Sequence, residues 1–183
     1  MSGIRRRHML MTPLLVTALI LVVALPLQVN AASPCKGTWN GAIGPGSGTV
    51  SVLGSNQQIT TTSTVSGTFE GDTTHGTMVG TINTNYTVPS LSQKGQVSST
   101  VTGSYVMNVA SNGTVTGTGS IPLSGGFSGE FKMSFQGQLS QTGALTGTWS
   151  GTLTVTQVTY MGMGLGANIS APGSGQFTGT TQS

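Results

Sequence analysis

The sequence predicts an all-β domain, folded as an antiparallel up-and-down meander of about eight to ten strands. Apolar and polar residues alternate with a period of two, which is typical of strands that bury one face. A short unit that begins at a turn glycine recurs along the chain, and turn residues separate the alternating runs. We therefore expect a small closed or nearly closed β-barrel, with a β-sandwich as the alternative.

Residues 1–31 have the composition of an export signal. Three arginines, Arg5 to Arg7, precede an apolar stretch from Leu14 to Leu25, and Val29 and Ala31 supply the small residues that a signal peptidase requires. These features predict a signal peptide over residues 1–31 that is cleaved after Ala31. The apolar stretch is shorter than the roughly 20 residues of a membrane span.

An uncleaved N-terminal anchor over residues 9–27 is the alternative to cleavage, and it would be the protein's membrane contact. In either case we expect a secreted or cell-surface protein. The remainder, residues 32–183, has the length of one domain and is expected to form a single all-β domain.

The charge of the chain is concentrated in the export signal. The whole chain has six basic and three acidic residues, and Arg5 to Arg7 account for half of the basic ones. The domain itself has no net charge, because its three lysines balance its three carboxylates: Lys36, Lys94, Lys132, Glu70, Asp72 and Glu130. Nucleic-acid binding requires a basic surface, so we expect no nucleic-acid partner.

Cys35 is the single cysteine of the chain, and it follows the predicted cleavage point by four residues. A lone cysteine forms no internal disulfide, so the fold has no covalent cross-link. We expect a free thiol near a frayed N-terminus. An intermolecular disulfide through Cys35 is the alternative.

Five runs show the alternation that predicts strands with one packed face and one solvent face. In Phe127–Leu139, every second residue from Phe127 is apolar or glycine. In Leu145–Val155, every intervening residue is serine or threonine. Shorter or less regular alternation covers Val65–Phe69, Met78–Val88 and Val97–Val109.

The recurring unit has an apolar residue two positions after its first glycine and a second glycine four positions after it. Its four copies begin at Gly76, Gly113, Gly143 and Gly175, so they are 37, 30 and 32 residues apart. Each interval is long enough for one hairpin of two strands with its turns, as in an antiparallel meander.

Glycine alternates with large side chains on the predicted apolar faces, as Gly129 and Gly137 do in the Phe127 run. A strand glycine permits a sharp bend and leaves space that a neighbouring ring can cover. Repeated bends favour a coiled or closed sheet over a flat sandwich, and closure removes exposed strand edges.

Turn residues separate the predicted strands. Ser111–Gly113 and Gln141–Gly143 are typical of short hairpin loops. Longer or irregular connections are expected at Gly71–Gly76, Pro89–Gly95, Pro122–Gly126 and Met161–Gly166, the last as a bulged strand or an apolar loop.

Few side chains of the domain could perform chemistry. Glu70, Asp72 and His75 form the one local cluster of potential acids, bases or metal ligands. Their positions on a polar strand face and in a turn favour a structural role, and we expect neither a metal site nor a cofactor. Glu130 is a further weak catalytic candidate, although Lys132 beside it indicates an exposed ion pair.

Five aromatic residues are the candidates for binding an apolar ligand inside a barrel: Trp39, Trp149, Phe131, Phe135 and Tyr105. Rings of this kind can form the wall or floor of a cavity. The same side chains would otherwise serve as core volume, which is their more frequent role.

Two segments, Gly37–Asn40 and Gly143–Thr148, resemble strands of the avidin-type biotin-binding barrels. The resemblance implies a barrel and no biotin-binding residue, because the later tryptophans of a biotin pocket are absent here. The threonine-rich run Ile59–Thr62 is similar to strands of ice-binding β-solenoids, whose regular array the unequal repeat spacing does not match.

These features favour a secreted, non-catalytic β-barrel with a binding role or a structural role at the cell surface or outside the cell. One alternative is a calycin-like carrier of a small apolar ligand, since a barrel of about eight strands has room for one. A barrel enzyme of unknown reaction is the second alternative. An outer-membrane barrel is the third, and it requires an apolar outer face.

Overall fold

The computed structural model describes residues 32–160 and 163–182. Residues 1–31, with the predicted export signal and its cleavage point, lie outside this part of the chain. The described residues form eight antiparallel strands: β1 (Pro34–Val52), β2 (Ser55–Asp72), β3 (His75–Val88), β4 (Gln93–Val109), β5 (Thr114–Leu123), β6 (Phe127–Leu139), β7 (Ala144–Tyr160) and β8 (Met163–Thr181).

The sheet is a closed ring. Each strand pairs with its neighbours in sequence, and β1 also pairs with β8 from Cys35 opposite Thr181 to Val50 opposite Ala167. The predicted all-β meander and its barrel are therefore confirmed, with eight strands.

The face that alternation predicted to be apolar lies inside the ring. In β6, Phe127, Phe131 and Phe135 are buried, whereas the intervening Lys132 and Gln136 are exposed. The inward side chains of all eight strands form one continuous hydrophobic core. The outer surface carries mainly hydroxyl and amide side chains, because successive residues of a strand point to opposite faces.

The ring closes unevenly at the seam between β4 and β5. Their ladder extends only from Ser104 opposite Ser120 to Val109 opposite Val115. Pro122 follows on β5, and proline has no N–H with which to continue a ladder. Beyond this point the remaining residues of β4 pair with β3 alone.

The two ends of the barrel differ. One end, which we call the closed end, holds the start of β1, the end of β8 and the connections β2–β3, β4–β5 and β6–β7. We call the opposite end the mouth, and it consists of the connections β1–β2, β3–β4, β5–β6 and β7–β8. A single 3-10 turn, Pro89–Leu91, is part of the mouth. Within the described residues, no helix has the length and apolar character of a membrane span.

Two loop predictions need correction. The predicted long loop Gly71–Gly76 is a tight hairpin, since β2 ends at Asp72 and β3 begins at His75. The side chain of Asp72 accepts hydrogen bonds from the backbone of this turn, which stabilises the short connection. The predicted break at Pro122 also starts too early, because β5 continues to Leu123 while pairing with β6.

Candidate functional site

The five predicted ligand-binding aromatics all lie inside the barrel. Trp39, Trp149, Phe131, Phe135 and Tyr105 each expose 5% or less of their surface. The ring of Trp149 makes edge-to-face contacts with two of the others, at centroid distances of 6.3 Å to Trp39 and 5.5 Å to Phe131. The five residues therefore share the barrel interior, and three of them, Trp39, Trp149 and Phe131, are joined by ring contacts. Their role in binding a ligand stays a prediction.

Two further phenylalanines extend this aromatic packing towards the closed end. Phe69 stacks edge to face on Tyr105 at 5.9 Å and on Phe177 at 6.4 Å. Phe177 in turn contacts Phe135 at 5.9 Å. Contacts of this geometry add to the stability gained by burial alone, so the rings belong to a packed core.

Glycines lie against the tryptophan rings, where a larger residue would collide with them. The indole of Trp149 covers Gly41 of β1 and Gly175 of β8, where an added Cβ would lie 2.4 Å and 2.6 Å from ring atoms. The indole of Trp39 covers Gly67 and Gly80 in the same manner, with corresponding distances of 2.7 Å. The glycines on the apolar face accommodate aromatic rings of the protein itself.

Two small cavities lie among the described core residues. A cavity among Trp39, Phe69 and Met78 provides about 20 Å³, and a second one, among Ile82, Phe127 and Leu153 nearer the mouth, provides about 20 Å³. A single water needs roughly 10–15 Å³ measured in this way. Each cavity is therefore of the size of one water and is far smaller than a typical ligand pocket.

Sequence reasoning missed a group of hydroxyl side chains inside the barrel. Thr61, Ser63 and Thr84 are buried, and the hydroxyls of Ser63 and Thr84 lie 2.8 Å apart. Hydrogen bonding of this kind offsets the cost of burying a hydroxyl. The run from Thr60 to Thr64 has hydroxyl residues on both faces, so residue type gave no signal of which side chains point inward.

Cys35 is a free thiol, as expected, but the expectation that it lies near a frayed terminus is wrong. The residue lies within β1 and is 3% exposed, because β1 is held between β2 and β8 up to its first residues. Its Sγ lies 3.2 Å from the hydroxyl oxygen of Tyr105 and 3.3 Å from the carbonyl oxygen of Asp72. Burial raises the pKa of the thiol, which keeps it protonated at neutral pH.

The intermolecular disulfide through Cys35 stays a prediction. Because Sγ is enclosed at the closed end of the barrel, a second thiol could reach it only after local opening of β1.

Asp72 organises the β2–β3 hairpin. Its Oδ1 accepts hydrogen bonds from the backbone N–H groups of Thr74, at 2.7 Å, and His75, at 2.8 Å, and from the Thr74 hydroxyl at 2.5 Å. These hydrogen bonds, first that of the Thr74 hydroxyl, lower the pKa of Asp72 from 3.8 to about 2. The carboxylate thus acts as the cap of a turn.

The other two members of the predicted cluster face solvent. His75 is 73% exposed, and its Nδ1 lies 2.8 Å from the Thr74 hydroxyl and 3.4 Å from Asp72 Oδ1. Glu70 is exposed on the outer wall of β2. In the described part of the chain, no three His, Cys, Asp or Glu side chains are arranged to hold a metal ion.

Glu130 lies on the outer wall of β6 in a small polar network. Its carboxylate accepts a hydrogen bond from the Ser120 hydroxyl at 2.7 Å and pairs with Lys132 Nζ at 3.0 Å. The Ser120 hydrogen bond and then the Lys132 contact lower the pKa of Glu130. The exposed ion pair predicted for Glu130 and Lys132 is present, with Ser120 as an additional partner.

A row of threonines crosses four strands on the outer wall. Thr146, Thr178, Thr38 and Thr68 occupy matching positions on β7, β8, β1 and β2. All four are exposed, and the hydroxyls of Thr38 and Thr178 lie 3.3 Å apart. An outer-membrane barrel has the opposite polarity, with apolar side chains outside.

A scan against models of known protein families found no match for this chain, and a search among curated proteins found no significantly similar sequence.

Proposed function

We propose that this chain is an exported, non-catalytic β-barrel with a binding or structural role at the cell surface or outside the cell. The N-terminal composition of residues 1–31 supports export. A single structural observation carries the rest of the proposal: among the described residues, aromatic and aliphatic side chains, with a small group of hydroxyls, pack the barrel interior. The surface available to a partner is therefore the exterior.

The local roles of the carboxylates support a non-catalytic function over the enzyme alternative. Asp72 caps a hairpin and Glu130 is engaged with Ser120 and Lys132, while Glu70 and His75 stand exposed on the wall and at the hairpin. A general acid or base works best in a cleft, with a pKa near the operating pH. The pKa values of Asp72 and Glu130 are both lowered, away from neutral pH.

Export is tested by expressing the full chain with a tag after Ser183 and determining where it accumulates. The proposal expects the tagged protein in the culture medium or on the cell surface, with Ala32 as its first residue when the signal is cleaved. An intact N-terminus with the protein at the surface would indicate the anchored form. Retention of the intact chain inside the cell would contradict the proposal.

The carrier alternative requires a ligand beside the interior tryptophans, which act as built-in fluorescent probes. A brominated fatty acid quenches the emission of Trp39 and Trp149 only if it enters the barrel. Saturable quenching by this probe would favour the carrier, whereas unchanged emission would favour a barrel filled by its own side chains. The exterior proposal expects unchanged emission, because each cavity holds only about 20 Å³.

A further inference from the structure

The mouth of the barrel presents large apolar side chains to solvent. Leu53 at the β1–β2 connection is 97% exposed, Leu91 before β4 is 44% exposed, and Met163 at the start of β8 is 58% exposed. The three residues belong to consecutive hairpins around the ring, because β8 pairs with β1 and β2 pairs with β3. Of the five large hydrophobic side chains exposed in the described residues, these three lie at the mouth, whereas Val79 and Val106 lie on the walls of β3 and β4. Exposed apolar side chains on three consecutive hairpins at one end of a polar barrel indicate an interaction surface.

Leu53 is an unusual choice for its position in the turn. It has a φ of 49° and precedes Gly54, whose φ is 79°. Two successive residues with positive φ are typical of a hairpin turn in which asparagine, aspartate or glycine is strongly preferred at the first position. A leucine there adopts a disfavoured backbone conformation and gains no burial, so the fold itself does not explain its presence.

The rim of the mouth is apolar as well. Partly buried hydrophobic residues that pack on the edge of the core, rather than within it, lie mostly at this end: Val52, Tyr86, Val97, Leu123, Val158, Leu165 and Ala167. Together with the three exposed tips they make this end of the barrel the more apolar one. Tyr86 supplies an amphipathic ring of the kind found at membrane–water interfaces.

The charges are also distributed unevenly. Lys94 follows Leu91 by three residues. Among the described residues of the mouth connections, and the two residues of each strand that adjoin them, Lys94 is the one charged residue. Glu70 and Asp72 lie at the opposite end together with Lys36, whereas Glu130, the fourth residue of β6, lies on the mouth side of the wall and is paired with Lys132. Lys94 has no carboxylate among the described residues of these connections, and Glu130, the carboxylate on the mouth side of the wall, is already paired with Lys132. The positive charge of Lys94 among apolar tips is therefore complementary to an anionic headgroup layer.

We propose that the mouth docks on a lipid surface that contains anionic headgroups, with Leu53, Leu91 and Met163 entering the apolar layer and Lys94 meeting the headgroups. Separate apolar tips on different hairpins suit a bilayer, which accepts each tip independently. A protein partner would instead require a continuous, closely complementary patch. The neutral hydroxyl wall then remains in water, and contact is limited to the end of the barrel.

Vesicle binding by the purified full chain tests this proposal. The vesicles contain phosphatidylcholine with or without phosphatidylglycerol, and intact mass confirms that every preparation has the same N-terminus. The test variant combines Leu53→Asn, Leu91→Ser and Met163→Ser. Asparagine is the preferred residue at the Leu53 turn position, so the first of these changes is compatible with folding. The matched control is Val106→Thr, which removes an apolar group that is 63% exposed on the outer wall.

The proposal expects wild type and Val106→Thr to bind vesicles equally well. Each apolar tip that is removed should weaken vesicle affinity by about tenfold, given the transfer free energy of a side chain of this size. Lys94→Gln should weaken binding to vesicles with phosphatidylglycerol by about fivefold, and it should have little effect without that lipid.

A second readout reports on the mouth directly, whatever the N-terminal segment contributes. Leu53→Trp should show a blue shift of its added emission on vesicles, because the new indole leaves water, whereas Val106→Trp should show none. Equal vesicle affinity of wild type and the triple variant, or no shift for Leu53→Trp, overturns the proposal. Dimer formation that depends on the three tips in the absence of vesicles also overturns it, since the mouth would then bind a second copy.

This inference names a partner for the exterior role in the proposed function and rests on that role. The two proposals fail separately, because export is determined from cellular location and the N-terminus, whereas docking is measured on purified protein.

Discussion

The thiol of Cys35 and the hydroxyl of Tyr105 lie 3.2 Å apart at the closed end of the barrel, and both are directed at the carbonyl oxygen of Asp72. This contact joins β1 to β4 across the interior, 70 residues apart in sequence. It also connects the interior with the β2–β3 hairpin. Both the thiol and the phenol have raised pKa values, chiefly because burial disfavours their charged forms.

Cys35 should react slowly with thiol reagents in the folded protein. The thiolate is the reactive species, and burial together with a raised pKa reduces both its access and its population. We expect alkylation at neutral pH to follow local or global opening and to reach the rate of a free cysteine only in denaturant. Stopped-flow or mass-spectrometric kinetics would measure this. A native rate equal to the denatured rate would place Cys35 at an open terminus instead.

Asp72 should stabilise the barrel in a pH-dependent manner. Its pKa is lowered from 3.8 to about 2 in the folded chain, so its stabilising effect is fully present above pH 3.8 and is lost as the pH falls towards 2. Replacement by alanine should lower the melting temperature at pH 7 and reduce the loss of stability between pH 4 and pH 2.

Asp72→Asn is the matched control for this experiment, because the amide oxygen can still accept the turn hydrogen bonds but does not titrate. It should be more stable than Asp72→Ala at pH 7 and as insensitive to acid. Glu130, whose pKa is also lowered, remains in all three proteins, so differences between their acid profiles report on Asp72 alone.

Gly175 should not tolerate a side chain. An added Cβ would lie 1.9 Å from the Asn40 carbonyl oxygen and 2.6 Å from the Trp149 ring, so the backbone or the indole would have to move. We expect Gly175→Ala to reduce the free energy of unfolding by about 1–3 kcal/mol, as overpacking does in well-packed cores. Urea denaturation followed by tryptophan fluorescence measures the change.

Gly166→Ala provides the comparison, because no atom lies within 4 Å of a Cβ added there on the same strand, β8. Its stability should be close to that of the wild type. An equal loss of unfolding free energy at Gly175 and Gly166 would mean that a glycine in this strand is required for a reason other than contact with Trp149.

The two tryptophans should differ in their response to replacement by phenylalanine. Trp149 Nε1 donates a hydrogen bond to the Asn40 carbonyl at 3.0 Å, whereas the buried Trp39 Nε1 has no partner among the described residues. Both replacements remove similar volume, but only Trp149→Phe removes a hydrogen bond and leaves an acceptor. We expect it to cost about 1–2 kcal/mol more than Trp39→Phe, and equal losses in denaturation would contradict this assignment.

The sequence predicted the fold best where residue types differ strongly between the two faces of a strand. In the run from Phe127 to Leu139 the large residues are apolar and their neighbours are polar, so the buried face followed directly. From Thr60 to Thr64 both faces carry hydroxyls, and only the ring geometry shows that Thr61 and Ser63 point inward. Hydroxyl residues are compatible with either face when a buried partner is present.

Contacts between distant parts of the chain could not be read from the sequence. Cys35 is near the predicted mature terminus, and its burial depends on the pairing of β1 with β8 at the far end of the chain. Alternation placed the five aromatic residues on the apolar face, but their packing against neighbouring glycines depends on strand pairing that the sequence does not show. The sequence did not identify the mouth, because Leu53, Leu91 and Met163 come to the same end of the barrel only through the pairing of β8 with β1 and of β2 with β3.

The central claim is that the barrel is filled by its own side chains and acts through its exterior. Native mass spectrometry of the protein purified from its own source, next to a denatured run, tests it most directly. The account predicts the same mass for the monomer in both conditions. A mass excess of a few hundred daltons that disappears on denaturation would reveal a bound small molecule and would contradict it.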